Sequence, residues 1–276
     1  MRQFFNVFVI AFLSISPAFS ADKALSFSQA KRLLSENAHR NNLRTFYCDC
    51  EITWKNNKGS PEPSSCGYSP RKPTTKSGRI NRRTHRVEWE HVMPAYRFSK
   101  HQACWADGGR KLCRKDPTFN LMEGDLNNLV PTIGELNGDR SNYKFGVLSS
   151  EKRAYGRCDF EISFKERIVE PKESIRGDIA RIYFYMRDTY KVSLNQSTLE
   201  LMNDWDKTDP VSIEEIKHNI NVIKIGGNKN IYLYRDQLET HLPKTSALSK
   251  DSNQTKFSEH NNSKDEATYS KKIEPW

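Results

Sequence analysis

Beyond its first twenty residues the chain has no apolar run long enough to cross a bilayer as a helix, so no membrane-spanning helix and no stable membrane association are expected. It has no Cys-x-x-Cys pair and no paired histidines, and Cys48-x-Cys50 is too tight for a zinc knuckle, which excludes a structural zinc site of the usual kind. It has no internal repeat, which removes the repeat architectures. From Arg71 to Arg86 it has no acidic residue, against seven basic ones: Arg71, Lys72, Lys76, Arg79, Arg82, Arg83 and Arg86. A stretch so one-sided reads either as a solvated loop or as a contact for a polyanion.

What is present narrows the choice. The chain has 276 residues, enough for a real core and for one or two domains. Its net charge of +10 fits a nucleic acid, a membrane surface or mere solubility, and the clustering at 71–86 favours nucleic acid. Residues 1–20 read as a secretory signal: Arg2 is the positive end, Phe4 to Ile15 is apolar but too short to span, and Ala18 and Ser20 give a small-x-small cleavage pattern. A mature start near Ala21 and a periplasmic or secreted location follow as expectations. The six cysteines, Cys48, Cys50, Cys66, Cys104, Cys113 and Cys158, are an even set in an exported chain and read as disulfides, with their pairing open. After about Arg235 apolar residues thin out, so 236–276 are expected to be a polar, disordered tail and 21–235 the folded unit.

Ser26-Phe27-Ser28-Gln29 is a capping-box pattern opening a helix, with Ala30, Leu33, Leu34 and Ala38 as its apolar face. Phe46 to Trp54 reads as a strand. Asn56 to Arg86 reads as one long polar loop, of the kind that is functional or disordered. Val87 to His91 reads as a short strand ending in a turn at Pro94. Gly124 to Asn142 reads as a loop and then a helix opened by Pro131 or Thr132. Phe160-x-Ile162-x-Phe164 alternates like a strand. Glu173 to Tyr190 has Ile175, Ile179, Ile182, Tyr183 and Met186 at helical spacing and reads as a core helix. Thr198 to Asp204 and Ile213 to Ile225 read as further helices. Trp89 and Tyr96 suit packing at the strand and turn as well as stacking on bases.

The chemistry concentrates in V-E-W-E-H-V-M-P-A, residues 87–95. Glu90 and His91 are adjacent. Neighbours on a strand point to opposite faces, but at a strand end that bends into a loop they can converge on one pocket. A carboxylate for a hard cation and an imidazole for proton removal would then share it. The plain alternative is a surface glutamate beside a structural histidine.

The segments that follow resolve that choice. E-W-E-H-V-M-P-A (88–95), C-W-A-D-G-G-R-K-L-C (104–113), K-D-P (115–117), N-N-L-V-P (127–131) and G-E-L-N-G-D-R-S-N (134–142) resemble the endonuclease I family of periplasmic and secreted bacterial nucleases. R-G-D-I-A-R-I-Y-F-Y-M (176–186), W-D-K-T-D-P-V (205–211) and G-N-K-N (227–230) extend the resemblance, which covers roughly 25 to 234. It implies an α+β fold class: a mixed α/β single domain built around a ββα-metal motif and stapled by disulfides Cys104–Cys113, Cys50–Cys66 and Cys48–Cys158.

The resemblance further implies one Mg²⁺ ion held by Glu90 and Asn137, His91 as general base, Arg110 as a phosphate contact, and Asn128 as support for the metal-site loop. Sparse ligation by a carboxylate and an amide oxygen suits Mg²⁺, which keeps several waters. Arg79, Arg82, Arg83 and Arg86 are expected to contact substrate phosphates, since their loop leads directly into Glu90 and His91. The expected partners are DNA and RNA, with the protein acting as a monomer. The rival reading is a non-catalytic, disulfide-stapled nucleic-acid-binding module, and the joint presence of Glu90, His91, Arg110 and Asn137 stands against it.

Overall fold

The computed structural model describes residues 24–38, 42–150 and 153–235. The expected signal and the expected C-terminal tail lie outside these residues. Helix α1 (Phe27–Ala38) opens on the expected cap, with Gln29 N donating to Ser26 Oγ at 3.3 Å and Ser26 N to Gln29 Oε1 at 2.8 Å. It buries Ala30, Leu34 and Ala38, one residue per turn.

The strand expected over 46–54 is mostly absent. Asp49 takes a left-handed φ of 57°, and Cys50 N turns back onto Thr45 Oγ1 at 2.9 Å, so the chain loops before pairing begins. Only β1 (Ile52–Lys55) is extended, and it pairs antiparallel with β2 (Lys58–Pro61). Asn56 and Asn57, with φ 48° and 61°, close the hairpin. Two positive φ values are what a two-residue hairpin turn requires, and asparagine tolerates them well. Helix α2 (Pro63–Cys66) follows. The long loop is therefore not structureless. Glu135 accepts from Tyr68 Oη at 2.7 Å, Arg71 N at 3.1 Å and Lys72 N at 2.7 Å, which pins its middle to the protein.

A 3₁₀ turn at Arg82–His85 leads into β3 (Val87–His91). Then come α3 (Ala95–Ser99), α4 (Ala103–Cys113), α5 (Pro117–Glu123), β4 (Leu129–Ile133) and α6 (Gly134–Arg140). The sequence reading missed β4. Pro131 argued for a helix start, yet it sits mid-strand opposite Trp89 in the antiparallel β3–β4 pair. In a two-stranded sheet each strand is an edge, where a missing N–H is tolerated. Helix α6 therefore begins at Gly134, directly from the strand.

A third sheet, of order β5-β7-β6, comprises β5 (Lys144–Phe145), β6 (Phe160–Ser163) and β7 (Ile168–Pro171). Helix α7 (Arg176–Tyr190) packs on α8 (Gln196–Thr208), and α9 (Ile213–Lys224) follows. The main core gathers Tyr47, Phe119, Leu136, Phe160, Met186 and Trp205, whereas α1 meets Trp89, Leu126, Leu129 and Val222 in a smaller cluster beside β3. The disulfides are those the resemblance implied: Cys48–Cys158, Cys50–Cys66 and Cys104–Cys113. Among the described residues no helix is long and apolar enough to cross a membrane.

Candidate active site

Strand β3, helices α1 and α6, the β1–β2 hairpin tip and Arg110 enclose a cleft of about 1210 Å³. Glu88, Glu90, His91, Arg110 and Asn137 all line it. Glu88 and Glu90 are two apart on β3 and so share a face. His91 joins them because the strand ends there. Fully buried Arg140 donates to the carbonyls of His91 at 3.1 Å and Val92 at 2.6 Å, which turns the chain.

Asn128, also fully buried, grips the same turn from the end of a 3₁₀ turn (Leu126–Asn128) just before β4. Its Oδ1 accepts from Met93 N at 2.7 Å, and its Nδ2 donates to Met93 O at 3.0 Å.

Glu90 is buried, and desolvation pushes its pKa up to about 7 despite the opposing charge of Arg140 and the Tyr47 hydroxyl. Both partners engage one oxygen: Tyr47 Oη lies 3.3 Å and Arg140 Nη1 3.2 Å from Oε1. Among the described residues Oε2 has no partner. Asn137 donates Nδ2 to Glu88 Oε2 at 2.9 Å. A carboxylate can only accept, so the amide must present nitrogen there and Oδ1 on its other side. Two hard oxygens, Glu90 Oε2 and Asn137 Oδ1, thus stay uncommitted on one cleft. That donor chemistry fits a hard cation that keeps most of its water.

His91 is buried, and desolvation lowers its pKa to about 3, with the charges of Arg110, Arg140 and Lys31 adding to the effect. Its Nε2 lies 2.8 Å from the Glu123 carbonyl. A carbonyl cannot donate, so Nε2 carries the hydrogen and Nδ1 the lone pair. This is a neutral imidazole in a single tautomer, with its lone pair on Nδ1. Glu123 also holds Arg110, whose Nε donates to its Oε1 at 2.6 Å. Arg110 Nη2 is buried with no partner, a donor awaiting an acceptor.

Arg110 opens the second helical segment of α4, after a break at Gly108–Gly109 where Gly109 takes φ 60°.

The arginines of the basic segment divide. Arg83 and Arg86 line the cleft and share Glu88, through Nη2 contacts of 2.5 Å each. Arg79 and Arg82 do not line it. Arg83 lies across Gly138, where a Cβ would come within 2.1 Å of its Nη1.

Sequence reasoning left Glu88 unassigned, although its i−2 relation to Glu90 was a signal for a shared face. It gave no role to Tyr47, Lys31 or Glu123, which reach the site only through tertiary packing.

A family model described as Endonuclease I matches residues 25–236. The chain is similar to Endonuclease-1 of Buchnera aphidicola subsp. Acyrthosiphon pisum, 43% identical over 232 residues, or 84% of this chain and 90% of the relative. It is similar to a periplasmic deoxyribonuclease of Aeromonas hydrophila, 40% identical over 222 residues, or 80% and 90% of the two chains. An extracellular deoxyribonuclease of the same species is 40% identical over 225 residues, or 81% and 94%.

Proposed function

The chain belongs to the endonuclease I family, and from that premise we propose that it is an exported, sequence-nonspecific endonuclease cleaving phosphodiester bonds of DNA and of RNA with one Mg²⁺ ion. Relatives named periplasmic and extracellular deoxyribonuclease support the location and the DNA substrate, and the apolar run at Phe4 to Ile15 supports export by a signal sequence. The observation that carries the chemistry is the His91 tautomer, neutral and fixed by the Glu123 carbonyl beside two uncommitted oxygens.

In this reading β3, β4 and α6 form the ββα-metal motif. Glu90 and Asn137 would hold the Mg²⁺, which would supply charge neutralisation at the scissile phosphate and help for the leaving oxygen. His91 Nδ1 takes the proton of the attacking water. The imidazolium so formed keeps its Nε2–H bond to the Glu123 carbonyl, which holds the ring in place and favours the charged form. Arg110 gives its unpaired Nη2 to a phosphate oxygen, while Glu123 holds its Nε and fixes the plane of the fork. Affinity through phosphates carries no sequence information, hence the lack of specificity.

The test is incubation of the purified protein with plasmid DNA and with RNA, each with Mg²⁺ and with EDTA. Cleavage with Mg²⁺ and none with EDTA is expected. Retained binding without cleavage of either substrate would leave the non-catalytic binding module.

A further inference from the structure

Arg83 and Arg86, the basic-segment side chains that line the cleft, share the one carboxylate of Glu88, so one of their two charges is balanced. The wall opposite β3 and α6 carries cations with no carboxylate partner among the described residues. Phe27, Lys31 and Ser35 recur every four residues along α1 and so form one stripe. Ser35 Oγ accepts from Trp89 Nε1 at 2.9 Å, and the Phe27 ring lies 4.6 Å from that of His91, so the stripe faces β3. Lys31 stands between them and lines the cleft. Its Nζ is 4.5 Å from the Phe27 ring centre, and the Arg110 guanidinium is 5.2 Å from the same centre. One aromatic ring therefore carries two cations and the imidazole. Lys31 has no carboxylate partner among the described residues.

The hairpin extends this wall. Its base is fixed by Cys50–Cys66, and Trp54 stacks on Trp89 at 6.2 Å. Gly59 is where the hairpin meets β3, since a Cβ there would come within 2.9 Å of Val87 Cβ. Its tip, Lys55-Asn56-Asn57-Lys58, is exposed, and Asn56, Asn57 and Lys58 line the cleft. Among the described residues Lys58 also has no carboxylate partner.

We propose that the Phe27–Lys31 turn of α1 and the β1–β2 hairpin tip form a second phosphate-binding wall, with Lys31 and Lys58 contacting backbone phosphates of a nucleic-acid duplex lying in the cleft. The inference rests on the nuclease reading for the identity of the polyanion. Lys31 takes a phosphate close to the one held by Arg110, because both cations meet one ring. Lys58 takes one further out. With one unbalanced charge of the Arg83–Arg86 pair on the other wall, cations line both sides of the cleft, which suits two strands better than one.

The experiment is equilibrium binding of a labelled duplex in EDTA, read by fluorescence anisotropy across a KCl series. Lys31→Gln and Lys58→Gln should each reduce the log–log salt slope by about 0.9, and the double variant by about twice that, equally on unrelated sequences. Lys31→Arg should keep the parent's slope, and matched melting temperatures guard against misfolding. A double variant with the parent's slope would overturn the proposal, as would losses confined to single-stranded oligonucleotides. Plasmid cleavage by the parent with Mg²⁺ is measured in parallel. Cleavage with unchanged slopes sinks the second wall and spares the nuclease, whereas no cleavage sinks the nuclease whatever the slopes.

Discussion

Glu88 holds Asn137 by its amide nitrogen, Oε2 to Nδ2 at 2.9 Å, and thereby fixes which way the amide oxygen faces. The same carboxylate takes both Arg83 and Arg86, so it is already the acceptor for two cations and an amide. Asn137→Asp would replace the donor with a second carboxylate against the first. The added charge should therefore not tighten Mg²⁺ binding, although it supplies a better metal ligand in isolation. The variant should also melt below the parent at neutral pH. Glu88→Gln in that background should restore part of the loss, since a glutamine amide can donate to the introduced carboxylate. A double-mutant cycle in melting and in Mg²⁺ calorimetry should show coupling of about 0.5–3 kcal/mol; additive effects would mean the contact does not orient the residue.

His91 and Glu123 predict a separation of turnover from binding. His91→Ala should lower the cleavage rate by about 10²–10⁴-fold, the usual contribution of a general base, with duplex affinity little changed. Rates near the parent's would remove His91 from the chemistry.

Much of the site was legible because its residues lie in short stretches with local signals. Glu90, His91, Arg110 and Asn137 do reach one cleft, and Asn128 does brace the turn after β3. The strand β4 was not legible, because Pro131 outweighs a five-residue apolar run whose edge position only the pairing reveals. The stretch 46–51 was misread because a left-handed Asp49 overrides its apolar alternation. Sequence leaves open which carboxylate Arg83 and Arg86 meet, and in the fold both meet Glu88. Lys31 was invisible, since nothing local distinguishes it from any helix-surface lysine.

That division yields a charge prediction. Arg83→Gln with Arg86→Gln should flatten the salt dependence of duplex binding by less than two free phosphate contacts would, because the two side chains share Glu88. The pair should instead lower thermal stability and weaken Mg²⁺-dependent activity, by freeing the carboxylate beside Asn137. A slope reduced by about 0.9 per arginine would show that they contact phosphates after all.

Glu90 and His91 give pH effects of opposite sign in metal-free protein. His91 stays neutral down to about pH 3 when folded, whereas an unfolded histidine titrates near about 6.5. Between those values only the unfolded chain binds the proton, so this group costs stability as pH falls, at up to about 1.4 kcal/mol per pH unit. Glu90 has its folded pKa at about 7, above its ordinary value of 4.5. It binds a proton in the native state first, so its contribution grows as pH falls from about 7 and is lost as pH rises through that value. The two terms oppose each other over roughly pH 4.5–6.5. Replacing His91 with asparagine removes one of them, so the stability of His91→Asn relative to the parent should rise steadily as pH falls through this window. Urea unfolding in EDTA at several pH values measures it, and a flat difference would mean that His91 is not held neutral.

The disulfides should separate stability from activity. Cys48–Cys158 spans 110 residues, and closing a loop of that order constrains the unfolded chain by about 4.7 kcal/mol in the chain-entropy account. That is a large share of the roughly 5–15 kcal/mol that holds a whole domain. Cys104–Cys113 spans only 9 residues, but it brackets the Gly108–Gly109 break from which Arg110 emerges. Its loss leaves Arg110 with the Glu123 contact on a less constrained backbone. Replacing Cys48 and Cys158 together by serine should therefore lower the melting temperature sharply. The same change at Cys104 and Cys113 should lower the cleavage rate more than the melting temperature. Dithiothreitol should do both, and inactivate the protein. Thiol counting on untreated, active protein closes the argument, because finding all six cysteines free in fully active enzyme would show that the bridges are dispensable.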